Sequence, residues 1–432
     1  MPAVDVQTFS EIVTHTRTER EVPLWQSLRT WWMIVPLLYF ATMGDFIVEE
    51  GSSVIKTRMG PSSSERLEQI LVWLIAIVLM GPRYRQILDA ALRYKALSAI
   101  VVLAFASIFW SPFPADSIRR ATLLGLTFLF GYFVAEKFSS KEQMRLILAT
   151  GWCAVLLDVI LVFAVPHYGL TYAGEWRGIF SSKADMGMFL CFLFSPFPFL
   201  KASGILMRFV SVVGVLLCLL SIYMCQSRGG WVLAATFIAY SCVVWVLRNF
   251  RSMDALVVAS LTVVAAGVIA WLVYLNFDSF AYLIGKDPSL TNRTLIWNAV
   301  ETAIGRHPIL GYGYGGFWNG NQSESYNIVA SVGTFITHAH NGYLNVWVQL
   351  GSVGLGLFIF TTVKACKDAF KGILVYRSDA ALWYFGILLL ILVGSIDESF
   401  LLNYNALTTI LYVVACVGLH KIATRQAFDE TR

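Results

Sequence analysis

The stretch HNGYLNVWVQLGSVGLGLFIFTTV, His340 to Val363, decides the class of fold. From Gly342 onward it is an apolar run long enough to cross a hydrocarbon core of about 30 Å, which takes roughly 20 helical residues. An imidazole and an amide stand at the mouth of that run. His340 therefore sits where water, a lipid headgroup or a sugar can reach it.

Composition extends the reading to the whole chain. Hydrophobic residues make up 57% of the 432 residues and charged residues 14%, against about 45–50% and about 25% in soluble domains. The chain reads as an all-α polytopic membrane protein. Candidate spans fall near 31–48, 69–82, 96–111, 119–136, 146–166, 186–200, 207–225, 229–247, 255–276, 342–363, 380–396 and 403–420, about twelve in all. Residues 1–30 are expected to form a cytoplasmic tail, 31–420 the transmembrane domain, 277–341 a long outer segment between the ninth and tenth spans, and 421–432 a second cytoplasmic tail.

Basic residues set the orientation, because loops left in the cytoplasm carry more Lys and Arg. With the N-terminus inside, 21 of the 32 Lys and Arg fall on the inner side, so both termini are expected in the cytoplasm. The formal charge of +5 is then an orientation signal. It is a poor nucleic-acid footprint, since no stretch combines dense basic residues with stacking aromatics. The seven cysteines lie in candidate spans or near the inner face, which implies no disulfide framework. The first thirty residues lack the apolar core of a cleaved signal peptide.

The outer segment holds much of the chemistry. Leu290-Thr291-Asn292-Arg293 opens a helix whose apolar positions Leu295, Ile296, Ala299, Val300, Ala303 and Ile304 follow helical spacing. HPILGYGYGGF, His307 to Phe317, then breaks it, and its glycines read as a bend that lets backbone approach an acceptor or headgroup. A P-loop is not the reading, since no strand precedes the bend and the lysine of that motif is missing. Elsewhere on this face lie Arg177 in Arg177-Gly178-Ile179-Phe180, Lys183 nearby, and Arg228 in the tight turn Ser227-Arg228-Gly229-Gly230. An arginine at a membrane boundary needs a partner; Asp397, Glu398 or an anionic substrate could supply it.

Four strings, RGIF, SRGG, LTNRTLIW with HPILGYGYGGF, and His340-Asn341 followed nine residues later by GSVG, resemble the O-antigen ligase and Wzy-type polymerase family. They are most similar to its exopolysaccharide-polymerase branch, with Asn292 where that branch usually has Gly. The resemblance implies a GT-C-like glycosyltransferase of the bacterial inner membrane with a periplasmic active site. Its implied partners are an undecaprenyl-diphosphate-linked oligosaccharide donor, a glycan acceptor, membrane lipids and other polysaccharide assembly proteins, with no nucleic acid. No cofactor and no metal are implied.

That chemistry makes sense of the residues. The family's catalytic base maps onto His340, and a sugar hydroxyl needs a base with a pKa near neutrality. Arg177, Arg228 and Arg293 are the candidates for the diphosphate, whose leaving oxygen gains charge that guanidinium forks stabilise. His338, Asn341, Lys183 and Glu398 are accessory candidates. The acceptor could be another lipid-linked repeat unit, giving a polymerase, or lipid A core, giving a ligase. A flippase is the reading from another class, but the spans hold few ionisable groups away from their ends, Asp158 being the main exception. An activity reporter fused after Asn319 should be active outside the cytoplasm, and one fused after Lys371 inside. The reverse pattern would overturn the orientation.

Overall fold

The computed structural model describes residues 31–42, 63–200, 204–249, 293–319, 323–326, 328 and 336–424. The tail 1–30, the candidate span 255–276 and Asn292 lie outside them. In chain order the helices are α1 (Ile34–Ala41), α2 (Ser63–Met80), α3 (Tyr84–Arg93), α4 (Lys95–Ala106), α5 (Pro114–Lys137), α6 (Ser140–Ala164), α7 (Lys183–Phe194), α8 (Gly204–Met224) and α9 (Arg228–Asn249). They continue with α10 (Arg293–Arg306), α11 (Gly342–Leu374), α12 (Asp379–Asp397) and α13 (Leu407–Ala423). Among the described residues there is no strand, only an isolated bridge between Leu170 and Trp176.

Among the described residues six helical stretches are long and apolar enough to cross a membrane: Arg66–Arg93, Pro114–Lys137, Ser140–Ala164, Arg228–Val246, Gly342–Leu374 and Asp379–Asp397. Apart from 255–276, every candidate span overlaps a helix, but several helices are shorter than a crossing. The candidate span 186–200 is the clearest difference. Helix α7 ends at Phe194 after 12 residues, because Pro196 and Pro198 follow and proline cannot continue the ladder. At 1.5 Å per residue that helix is about 18 Å long, short of the hydrocarbon thickness.

Polar side chains start the helices where the sequence offers them. Ser139 and Glu142 form a reciprocal capping box on α6, Ser182 caps α7 and Ser378 caps α12. The centre of the bundle is α13, which packs against α5, α11 and α12 and is buried along nearly its whole length. Lys421 near its end is buried too, with Nζ 2.8 Å from Glu136 and donating to the Ala135 carbonyl.

A second apolar cluster forms at the other end of α11. Ile296, Val300, Ala303 and Ile304 of α10 pack there with Tyr312, Phe317, Trp318, Ala339 and Val348, while Leu295 faces outward. The bend 307–317 is laid on α11 backbone to backbone. Tyr312 N–H donates to the Val348 carbonyl at 2.9 Å, and Ser352 N–H to the Pro308 carbonyl at 2.9 Å. Gly351 breaks the helix there with φ 66° and ψ −172°, and a Cβ at Gly311 would lie 2.6 Å from the Gln349 carbonyl carbon. The glycines expected to cradle a ligand thus let the bend dock on the protein's own helix. Gly351→Ala should cost about 1–3 kcal/mol, since only glycine tolerates that conformation. A lower melting temperature in detergent is the expected result, and an unchanged one would contradict this reading of the kink.

Candidate active site at the His340 end of the bundle

Asn341 caps α11, accepting from Tyr343 N–H at 3.0 Å and Leu344 N–H at 3.1 Å. The residue before it, His340, takes a left-handed conformation with φ 47°. That turn leaves the imidazole beside the end of α12 and frees it from any capping role. Asn341 Nδ2 also reaches the Ile396 carbonyl at 3.4 Å, tying the start of α11 to the end of α12.

Glu398 is the first residue beyond α12, and its carboxylate lies between two imidazoles. His340 Nδ1 is 3.1 Å from Oε2 and His338 Nδ1 is 3.2 Å from Oε1, while Ser399 N–H donates to Oε1 at 3.0 Å. The two rings meet edge to face with centroids 4.2 Å apart. Burial by itself would raise the Glu398 pKa, but the imidazoles and the Ser399 N–H hold it down to about 2, so it is a carboxylate at neutral pH. Burial lowers His338 to about 4 against the pull of Glu398, with His340 and Arg293 adding to the fall. His338 is therefore neutral at pH 7 and takes a hydrogen bond from His340 N–H at 3.3 Å.

The arginines fall into two groups. Arg293, first residue of α10, makes an ion pair with Asp397, last residue of α12. Burial lowers its pKa, Glu398 raises it and Arg228 lowers it, which puts Arg293 within electrostatic reach of both. Arg228 opens α9, and the next residue is pressed on the same acid: a Cβ at Gly229 would lie 2.5 Å from Asp397 Oδ2. His338, His340, Asn341, Glu398, Arg293 and Arg228 are thus brought together from four separate stretches of chain.

Arg177 sits in the neighbouring loop, and Lys183 opens α7 just beyond it. Arg177 is buried and donates from Nε to the Tyr168 carbonyl at 3.0 Å, while Lys183 Nζ lies 2.6 Å from Glu175. The loop reaches the Glu398 turn through rings: Phe180 stacks on Phe189 at 6.2 Å, and Phe189 meets Phe400 at 5.6 Å. Asp158, the in-span acid that a flippase reading would use, accepts Ile179 N–H at 2.9 Å and so holds this turn. Arg120, which no motif singles out, binds the bend through the Gly315 carbonyl at 2.9 Å and Asn319 Oδ1 at 3.1 Å.

One group of three among the described residues could hold a metal ion, and it is this one: ligand atoms of His338, His340 and Glu398 lie within 4.8 Å of one another. Two histidines two residues apart gave no such set in the sequence. The third ligand arrives from 58 residues along the chain.

Helices long and apolar enough to span a membrane, with a cluster of His, Glu and Arg at one end of the bundle, define a multi-pass membrane protein with a candidate polar site. Residues 213–359 match the Wzy_C family model, described as O-Antigen ligase. Arg228, Arg293, His338, His340 and Asn341 lie inside the matched stretch, and Arg177, Asp397 and Glu398 outside it. The chain is similar to Exopolysaccharide production protein ExoQ of Rhizobium meliloti (strain 1021), 27% identical over 354 residues, 77% of this chain and 78% of that protein. It is also similar to a Putative polysaccharide ligase of Rickettsia felis (strain ATCC VR-1525 / URRWXCal2), 33% identical over 88 residues, 20% of this chain and 22% of that protein.

The depressed His338 pKa has a consequence for stability. An unfolded His takes its proton near pH 6.5 and the folded one near 4, so the unfolded state binds more protons between those values. Stability is fully present above about 6.5 and is lost as pH falls toward 4. The melting temperature of the detergent-solubilised protein should drop across that window, and His338→Gln should remove part of the drop. Identical pH profiles for the two proteins would contradict a buried neutral His338.

Proposed function

We propose that this protein is an inner-membrane glycosyltransferase that polymerises lipid-linked glycan repeat units on the periplasmic face. The observation that carries the proposal is Glu398, which binds His340 Nδ1 at 3.1 Å while the adjacent Asp397 holds Arg293. A base and a cationic clamp thus share one helix end.

With Nδ1 committed to the carboxylate, Nε2 is the ring atom that takes a proton from the acceptor hydroxyl. As the proton leaves, the acceptor oxygen bonds to the donor's anomeric carbon and the bond from that carbon to the diphosphate oxygen breaks. The electron pair goes to the diphosphate, where Arg228 and Arg293 meet the growing charge. Glu398 steadies the imidazolium that forms, the role an acid plays beside a catalytic His elsewhere. Arg177 is a third candidate for the diphosphate, and Lys183 and Asn341 support the site. Arginines aimed at the leaving group supply positive charge of the kind a metal would otherwise bring, and the proposed reaction is metal-independent.

The donor in this reading is undecaprenyl-diphosphate-linked oligosaccharide and the acceptor a second lipid-linked unit. About twelve crossings, cytoplasmic termini and a periplasmic 277–341 segment complete it, supported by the distribution of Lys and Arg. The name of the longer relative, an exopolysaccharide production protein, favours the polymerase. The alternative is a ligase, as the family description and the shorter relative's name suggest, with finished glycan passing to lipid A core.

His340→Ala should slow transfer by ~100-fold or more in a purified assay with defined donor and acceptor and a chelator present, while donor binding persists. His338→Ala should be milder. Full turnover by His340→Ala would remove the base, and complete loss of wild-type activity on chelation would point to a metal at His338, His340 and Glu398.

A further inference from the structure

Asp397 is oddly placed for a carboxylate. It is the last residue of α12, where the helix dipole presents its negative end and disfavours an acid. The compensation is cationic. One oxygen pairs with Arg293, and the other faces Gly229 in the first turn of α9, a 22-residue helix whose amino end favours anions. Arg228 opens that helix, and Arg293 and Arg228 feel each other's charge.

The two adjacent acids differ in exposure. The Glu398 side chain is 8% exposed and is committed to the histidines, whereas that of Asp397 is 35% exposed. Asp397 also engages Arg293 through one nitrogen, Nη1, of a guanidinium that offers five N–H donors. A partly exposed carboxylate paired with one guanidinium, beside the helix start that carries a second, can be replaced by an anion that offers more oxygens.

We propose that Asp397 is an anionic placeholder, occupying the place between Arg228 and Arg293 when no donor is bound, giving it up to the donor's diphosphate, and reclaiming it when the product leaves. The proposal rests on the reading that these arginines bind the diphosphate. In the empty protein Asp397 offsets the charge of two guanidiniums that would otherwise repel. After transfer its charge competes with the spent lipid diphosphate for the same donors and speeds release.

The test uses the full-length protein in nanodiscs and undecaprenyl diphosphate without glycan as the probe. Asp397→Asn keeps the shape and removes the competing charge. It should bind the probe roughly 3- to 10-fold more tightly, the scale of a partly exposed ion pair, and lower KM and kcat together as product release slows. Asp397→Glu should restore wild-type values. Weaker probe binding or a raised KM in Asp397→Asn, at wild-type melting temperature, would show that Asp397 merely holds Arg293 in place and overturns the proposal. If Asp397→Asn melts early, Asp397→Glu decides: wild-type behaviour supports the competing charge, and loss of binding rejects it. Arg228→Ala and Arg293→Ala separate the two levels. Unchanged probe binding in both sinks the diphosphate reading itself, whereas lost binding in both with no tightening in Asp397→Asn sinks only the placeholder.

Discussion

A carboxylate taken out of water must find donors or lose its charge, and Glu398 finds two, Nδ1 of His340 and the N–H of Ser399, with the neutral His338 ring 3.2 Å away on its other side. That set of bonds fixes the geometry of the site. It binds the end of α12 to the turn before α11, so the ring at 340 and the acid at 398 cannot move independently. Breaking such a buried group by removing one partner costs far more than the bonds contribute when complete. The burial that makes Glu398 demanding also keeps His338 neutral.

The surrounding fold supplies what that centre requires. Asn341 satisfies the first N–H groups of α11, leaving His340 free to turn toward α12. The kink at Gly351 admits the backbone of the 307–317 bend, and Tyr314 OH carries the contact on to the Leu402 carbonyl at 2.7 Å. Trp297 Nε1 donates to the Ala339 carbonyl at 3.1 Å, which fixes α10 and therefore Arg293 against the residue preceding His340. Arg120 holds the far side of the bend. His340, Arg293 and the bend are positioned by backbone contacts as much as by side chains.

What was legible in the sequence follows from how local each feature is. Apolar runs mark helices by composition alone, and His340 stands at the edge of one, so its place at a helix mouth could be read directly. Asn341 as a cap and the buried face of α10 are equally local. The end of α7 at Phe194 was legible in principle, since Pro196 and Pro198 announce it. Partnerships across the fold were not. Glu398 reaches His340 across 58 residues and Asp397 reaches Arg293 across 104, and nothing in either neighbourhood specifies the choice. The glycines of the bend show the same limit: close backbone approach is encoded locally, but what approaches is not.

The central claim is that one end of this bundle holds a lipid diphosphate on Arg228 and Arg293 with its sugar facing His340. A cryo-electron microscopy structure of the protein in nanodiscs with glycan-bearing undecaprenyl diphosphate tests it most directly. Diphosphate oxygens are expected within hydrogen-bonding distance of both guanidiniums, with the sugar's anomeric carbon on the His340 side. A diphosphate lodged at the opposite end of the bundle, near Lys364 and His420, would contradict it.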